Sequence, residues 1–346
     1  MITQFGGRIS AKLIERYSQS PHWHDGKFQN LQATTTAFSL QKLPGLLYRQ
    51  ICKGEGRYPV KPLPVMGFDK KKFLEPSDEI KIIWYGHSAV LMRINNTTLL
   101  IDPMLGPDAA PTAPFKIRRF SPHTLDIIDD LPPIDLVLLT HDHYDHLDLA
   151  SMRKLKSKAQ HYFVALGVAR HLISWGIDDK LITEFDWWQQ REFNDIAITF
   201  TPGRHFSGRG LSDRFKSLWG GWVFETKAEN VYFSGDSGYG KHFKEVGKRL
   251  GPFDFGMVEC GQYNENWHQI HMYPEESVQA ALDARVEKAM AVHWGAFALA
   301  QHHWKDPITR FVTEAAKSNK SILTPQPGEL FSISKTITSD WWNAFE

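Results

Sequence analysis

The 346-residue chain carries 40 Lys and Arg against 39 Asp and Glu, and 42% of its residues are hydrophobic. That balance gives no sign of a strongly basic nucleic-acid surface, the composition is that of a globular protein, and the length permits a large buried core. Cys52 and Cys260 are the only cysteines, too few for a disulfide framework, and no run of about 18 apolar residues is present to cross a bilayer.

In chain order, residues 1–75 stand apart: Gly6-Gly7, a polar segment from Ser18 to Gln32, and Pro59, Pro62 and Pro64 read as an N-terminal arm packed on a main domain of residues 76–346. Within the arm, Ile9, Leu13, Ile14 and Tyr17 fall at helical spacing beside Arg8, Lys12 and Arg16. Such a helix packs on its own domain or lies on a lipid surface. From Lys81 onward, short apolar runs predict strands over Ile82 to Tyr85, Val90 to Ile94 and Thr97 to Ile101, with Asn95-Asn96 as a hairpin turn. Further strands are expected over Leu136 to Leu139, Tyr162 to Ala165, Ile196 to Phe200, Trp222 to Glu225, Val231 to Phe233, Phe255 to Val258 and Ala289 to Val292. Helices are expected over Leu149 to Leu155 and Glu275 to Val286, the second opened by Pro274. Hairpin strands first, then strands alternating with helices, predict an α/β protein in which helices cover sheets. The N-terminus lacks the features of an export signal, so the expected location is cytoplasmic, with peripheral membrane contact left open.

One window concentrates chemistry. After Leu136–Leu139 comes Thr140-His141-Asp142-His143-Tyr144-Asp145-His146-Leu147-Asp148, three imidazoles and several carboxylates in one loop. So many ionisable groups crowded together are costly unless a cation neutralises them. Imidazole with carboxylate suits zinc, and is compatible with iron or manganese. More such groups end other expected strands: His205 after Ile196–Phe200, Asp236 after Val231–Phe233, and His293 after Ala289–Val292. Strand ends let a rigid sheet aim several side chains at one point.

The order H-x-H-x-D-H, a lone His, Gly-Asp after an apolar strand, and a last strand-terminal His resembles the metallo-β-lactamase superfamily over roughly residues 80–334. The resemblance implies a four-layer αβ/βα sandwich, two mixed β-sheets flanked by helices. It also implies a first metal on His141, His143 and His205, a second on Asp145, His146 and His293, and Asp236 between them, the metals being two zinc ions or iron or manganese in their place. Trp84-Tyr-Gly-His87, Ile101-Asp102-Pro103, Leu218-Trp-Gly-Gly-Trp222, Phe233-Ser-Gly-Asp-Ser-Gly-Tyr239, His271-Met-Tyr-Pro-Glu-Glu276 and Ala291-Val-His-Trp-Gly-Ala-Phe297 resemble the branch containing N-acyl-phosphatidylethanolamine phospholipase D. Asp142 departs from the Asn-containing loop of that lipid-cleaving enzyme, and the branch is also similar to sugar-lactone hydrolases.

The expected reaction is therefore hydrolysis of a phosphodiester, with attack at phosphorus by solvent activated between two metals and release of an alcohol. Asp102 and Asp148 are candidates to hold the second ring nitrogen of metal-bound histidines, Asp148 also being a good helix N-cap, and His87 is a candidate to border the site. Asp145 belongs to the catalytic centre, His271 is the candidate to bind phosphate or protonate the leaving alkoxide, and Tyr144 to touch substrate. Of Trp187, Trp188, Trp219, Trp222, Trp267 and Trp294, two or three are expected to line a pocket. The substrate class is a small molecule or phospholipid; nucleic acid is not expected, and oligomerisation stays open. Two other readings use the same residues: a lactonase or carboxylic ester hydrolase, and a non-catalytic metal-binding scaffold.

Overall fold

The computed structural model describes residues 4–35, 56–110, 116–210, 212–335 and 337–345; Cys52 lies outside them. In the N-terminal segment, the helix Ala11–Tyr17 is capped by Ser10 and followed by a small hairpin of β1 (Trp23–His24) and β2 (Lys27–Phe28). Tyr17, Trp23 and Phe28 form a buried aromatic cluster, with ring centroids 4.8–5.9 Å apart. Arg16 pairs with Glu184 at 2.8 Å and the Phe28 N–H donates to the Phe215 carbonyl, so this segment packs on the sheets while Ile14 stays exposed.

Two large sheets follow. The first holds β3 (Lys81–Trp84), β4 (Val90–Ile94), β5 (Thr97–Ile101), β6 (Ile134–Leu139), β7 (Ala159–Ala165) and β8 (Ile182–Phe185). The second holds β9 (Gln190–Phe193), β10 (Ile196–Pro202), β11 (Gly220–Glu225), β12 (Asn230–Phe233), β13 (Phe253–Glu259), β14 (Val286–Val292) and β15 (Ser321–Ile322). The last strand, β16 (Leu330–Ser332), returns to pair with β3. Each sheet runs through three antiparallel pairings and then three parallel ones, from β16 to β8 and from β9 to β15. The β4–β5 turn is Asn95-Asn96, both residues left-handed at φ 48° and 60°, the backbone a two-residue hairpin of this type needs.

Burial explains the strand pattern. Leu136, Val137, Leu138 and Leu139 of β6 are all fully buried, as a strand covered on both faces must be. Phe185 of β8 meets Trp222 of β11 at 5.2 Å, and Phe255 of β13 meets Phe331 of β16 at 5.9 Å, so apolar faces of the two sheets share one core. The helices Leu149–Leu155, Pro274–Asp283 and Asp306–Lys317 are amphipathic and bury one face. The second ends three residues before the expected Val286, because Arg285 adopts φ 60° and Val286 begins β14. The result is the expected α/β architecture of two mixed sheets with helices.

Candidate metal centre

The side chains at issue hang from loops that leave one edge of the two sheets, after β3, β5, β6, β10, β12, β13 and β14. After β6, His141 and His143 bring Nε2 and Nδ1 to within 2.9 Å of each other, and Nε2 of His205, beyond β10, lies 3.1 Å from the same Nδ1. Ring nitrogens held about 2.0–2.1 Å from one ion at tetrahedral angles lie roughly 3.3 Å apart, close to this spacing. A second group gathers at Asp145 Oδ2, with Nε2 of His87 at 2.9 Å, of His293 at 3.3 Å and of His146 at 3.6 Å. Asp236 Oδ2 stands between the groups, 3.0 Å from His293, 3.1 Å from His146, 3.8 Å from His205 and 3.9 Å from His141.

This donor set fits a metal ion. His141, His143 and His205 form one group that could hold a cation, and His87, Asp145, His146 and His293 another. Asp236 Oδ1 is buried with no hydrogen-bond partner, a cost that a bound cation would remove. The electrostatics agree. Burial lowers His141, His205, His143 (to about 4) and His87 (to about 3), and neighbouring imidazoles add to the effect at His141, His205 and His87. At His146 burial acts the same way but Asp236, Asp145 and Asp102 outweigh it and push the ring up to about 10; His293 is raised likewise by Asp236, Asp145 and Glu259. The carboxylates thus favour positive charge at His146 and His293, a demand that a bound metal ion would also meet.

Positioning is local and specific. Asp102, fully buried after β5, accepts the Thr140 N–H at 2.8 Å, the Thr140 hydroxyl at 2.6 Å and the His146 Nδ1–H at 2.8 Å, which turns His146 Nε2 toward Asp236. His205 donates Nδ1–H to the Ile270 carbonyl at 3.0 Å. His87 and His293 are tied by backbone bonds, His87 N–H to Trp294 O at 2.7 Å and His293 N–H to His87 O at 2.9 Å. Before Asp236, Gly235 has φ 60°, and a Cβ there would lie 2.2 Å from the Gly220 carbonyl, so only glycine lets the loop approach β11 this closely.

Not every expected residue joins the centre. Asp148 caps the helix Leu149–Leu155 instead, accepting from Ala150 N, Ser151 N and Ser151 Oγ, so its carboxylate is committed away from the imidazoles. Tyr144 turns from the cavity: its hydroxyl donates to the Arg209 carbonyl and the Arg209 guanidinium stacks 4.0 Å over its ring. Of the six tryptophans, Trp267 alone lines the cavity beside the centre, while Trp187, Trp219, Trp222 and Trp294 are core and Trp188 lies under Arg249. That cavity, about 300 Å³, is walled by Phe206, Trp267, Ile270 and Leu299 and opens on Asp145, Asp236 and His271.

Some contributors carried no sequence signal. Asn30 of the N-terminal segment brackets His205, accepting its N–H at 3.0 Å and donating to its carbonyl at 2.8 Å. Asp142 points away from the metal donors into a buried cluster, accepting from Gly208 N at 2.7 Å, Ser217 Oγ at 2.6 Å and His171 Nε2 at 3.2 Å, with Arg170 at 3.4 Å. Glu259, at the end of β13, lies beneath His271 and His293. Its signal was present: it is a strand-terminal acid, like Asp236.

Residues 97–294 match the Beta-lactamase superfamily domain, and the chain belongs to the metallo-β-lactamase superfamily. Among its relatives is the N-acyl-phosphatidylethanolamine-hydrolyzing phospholipase D 1 of Caenorhabditis elegans, 30% identical over 72% of this chain and 75% of that one. An uncharacterized protein of Mycobacterium tuberculosis is 34% identical over 97% of this chain and 91% of its own. A metallo-hydrolase from the archaeon Ignicoccus hospitalis has the same fold, with a TM-score of 0.56 at 19% identity over 73% of this chain and 97% of that one.

Proposed function

We propose that the protein is a binuclear metallohydrolase that cleaves phosphodiesters of N-acyl-phosphatidylethanolamine type, as a phospholipase D does. His141, His143 and His205 would hold one zinc-class ion and Asp145, His146 and His293 the other, with Asp236 shared. When bound, such a pair supplies an activated solvent nucleophile and neutralises charge that builds on the phosphoryl oxygens. The observation that carries the reading is the position of Asp236 Oδ2, within 3.9 Å of one imidazole nitrogen on each of His141, His146, His205 and His293.

The chain's own residues account for the rest. His87 donates its Nε2–H to Asp145 Oδ2 and fixes that carboxylate, while Asp102 fixes His146. Phe206, Trp267, Ile270 and Leu299 give the cavity an apolar wall that receives hydrocarbon and excludes bulk water from the reacting phosphate. His271, on the same wall, moves a proton from its Nε2 to the departing alkoxide oxygen. Among the described residues no helix is long and apolar enough to cross a membrane, so access to lipid in this reading is peripheral, with Phe5, Ile14 and Leu31 exposed on the N-terminal segment.

The test is turnover by the zinc-loaded protein of N-acyl-phosphatidylethanolamine in mixed micelles, against acyl lactones, with products identified by mass. Phosphatidate and N-acylethanolamine are the expected products. Lactone opening with no phospholipid cleavage would replace this reading with the carboxylic ester hydrolase.

A further inference from the structure

Glu259 closes β13 with its side chain fully buried. A buried carboxylate must have its oxygens taken by donors or a cation. Its Oε1 accepts from Nδ1 of His271 at 3.0 Å and lies 3.6 Å from Nδ1 of His293, while Oε2 accepts the Met272 N–H at 3.0 Å. The backbone beneath it is pinned as well: the Glu259 N–H donates to Ser234 Oγ at 2.9 Å and its carbonyl accepts from Ser277 Oγ at 2.6 Å. The His271 ring is in turn stacked on His293 at 5.1 Å and set edge-on to His205 at 5.0 Å.

A ring nitrogen committed to a carboxylate as N–H leaves the other nitrogen as the one that faces outward, and this choice sets what an imidazole can do. We infer that Glu259 is a positioning residue for catalysis, locking His271 with Nδ1–H on the carboxylate and Nε2 presented to the cavity, so that Nε2 meets the leaving oxygen. What His271 then does rests on the phosphodiesterase reading; how it is held does not. In that reading the water oxygen bonds to phosphorus as the phosphorus–alkoxide bond breaks. The alkoxide takes the Nε2 proton and leaves as an alcohol, and the proton lost by the attacking water restores His271.

Two measurements on the metal-loaded full chain separate the claims. In ¹⁵N-histidine-labelled protein, with His271 assigned by H271N, the ring is expected to carry a slowly exchanging Nδ1–H that disappears in E259Q. A wild-type His271 with Nδ1 unprotonated, or an unaltered ring in E259Q, would overturn the inference without touching the assigned reaction. The second compares phosphodiesters with alkyl and p-nitrophenyl leaving groups, since a good leaving group needs little help from an acid. E259Q and H271N are each expected to lose about 100-fold in kcat on the alkyl diester, with KM nearly constant, and under tenfold on the aryl diester. The double variant is expected to be no slower than H271N, and E259Q to keep the wild-type metal content. Equal losses on both diesters, or loss of metal in E259Q, would make Glu259 a structural support of His293. Absence of diester turnover by the wild type would defeat the proposed function, with the ring spectrum still deciding Glu259.

Discussion

At Asp236 a single carboxylate oxygen faces four imidazoles while its twin is buried without a partner, and at His146 the opposite ring nitrogen is held by Asp102. His146 is thus oriented by a neighbour that never needs to touch a metal itself. Replacing that neighbour is expected to be felt at the metal: Asp102→Asn should weaken metal retention about 10–100-fold, read by competition with a chelating dye. Tyr144 provides the contrast. With its hydroxyl spent on the Arg209 carbonyl, Tyr144→Phe should cost about 1 kcal/mol in urea unfolding and leave kcat within twofold of the wild type. His205, Asp236 and His293 stood out in the sequence because each follows an apolar strand, and the structure gathers their side chains with those of the loop after β6. Of the two roles the sequence offered Asp148 the structure shows the helix cap, and Tyr144 is turned aside by the stacked Arg209, because adjacency along the chain does not decide direction.

Among the elements, the loop after β6 is held from behind by charge as well as from the front by donors. Burial alone would raise the Asp142 carboxyl, but His171 and Arg170 prevail and hold it well below the ordinary carboxylate range. Asp142→Ala would strand the Arg170 cation and leave the His171 ring, itself lowered to about 4 by burial, without its acceptor, and is expected to destabilise the fold by about 3–5 kcal/mol in chemical denaturation. Its folded-state proton affinity is depressed, so this contribution is complete above the unfolded value of about 3.9 and is lost as pH falls toward the folded one. The gap in stability between wild type and variant should accordingly be constant near neutrality and narrow below about pH 4. Core strands such as β6 and β13 were readable from unbroken apolar runs. Edge strands were not: β9 reads Gln-Arg-Glu-Phe and is largely exposed, and β15 and β16 are two and three residues long. Asn30 was equally hidden, since its contact with His205 spans 175 residues and leaves no local pattern.

For the whole molecule, the two sheets repeat one plan of antiparallel pairs followed by parallel pairs, and their ends meet at one edge where β6 and β14 deliver His141 and His293. The plan was legible as an alternation of strands and helices; the closure of the first sheet by the late strand β16 was not, because it joins residues about 250 positions apart. Whether this edge encloses two metal ions is decided by anomalous diffraction at the zinc absorption edge on crystals of zinc-loaded protein. Two peaks per chain are expected, one within bonding distance of His141, His143 and His205 and one of Asp145, His146 and His293, both near Asp236. No peak there, or ions bound only elsewhere on the surface, would contradict it.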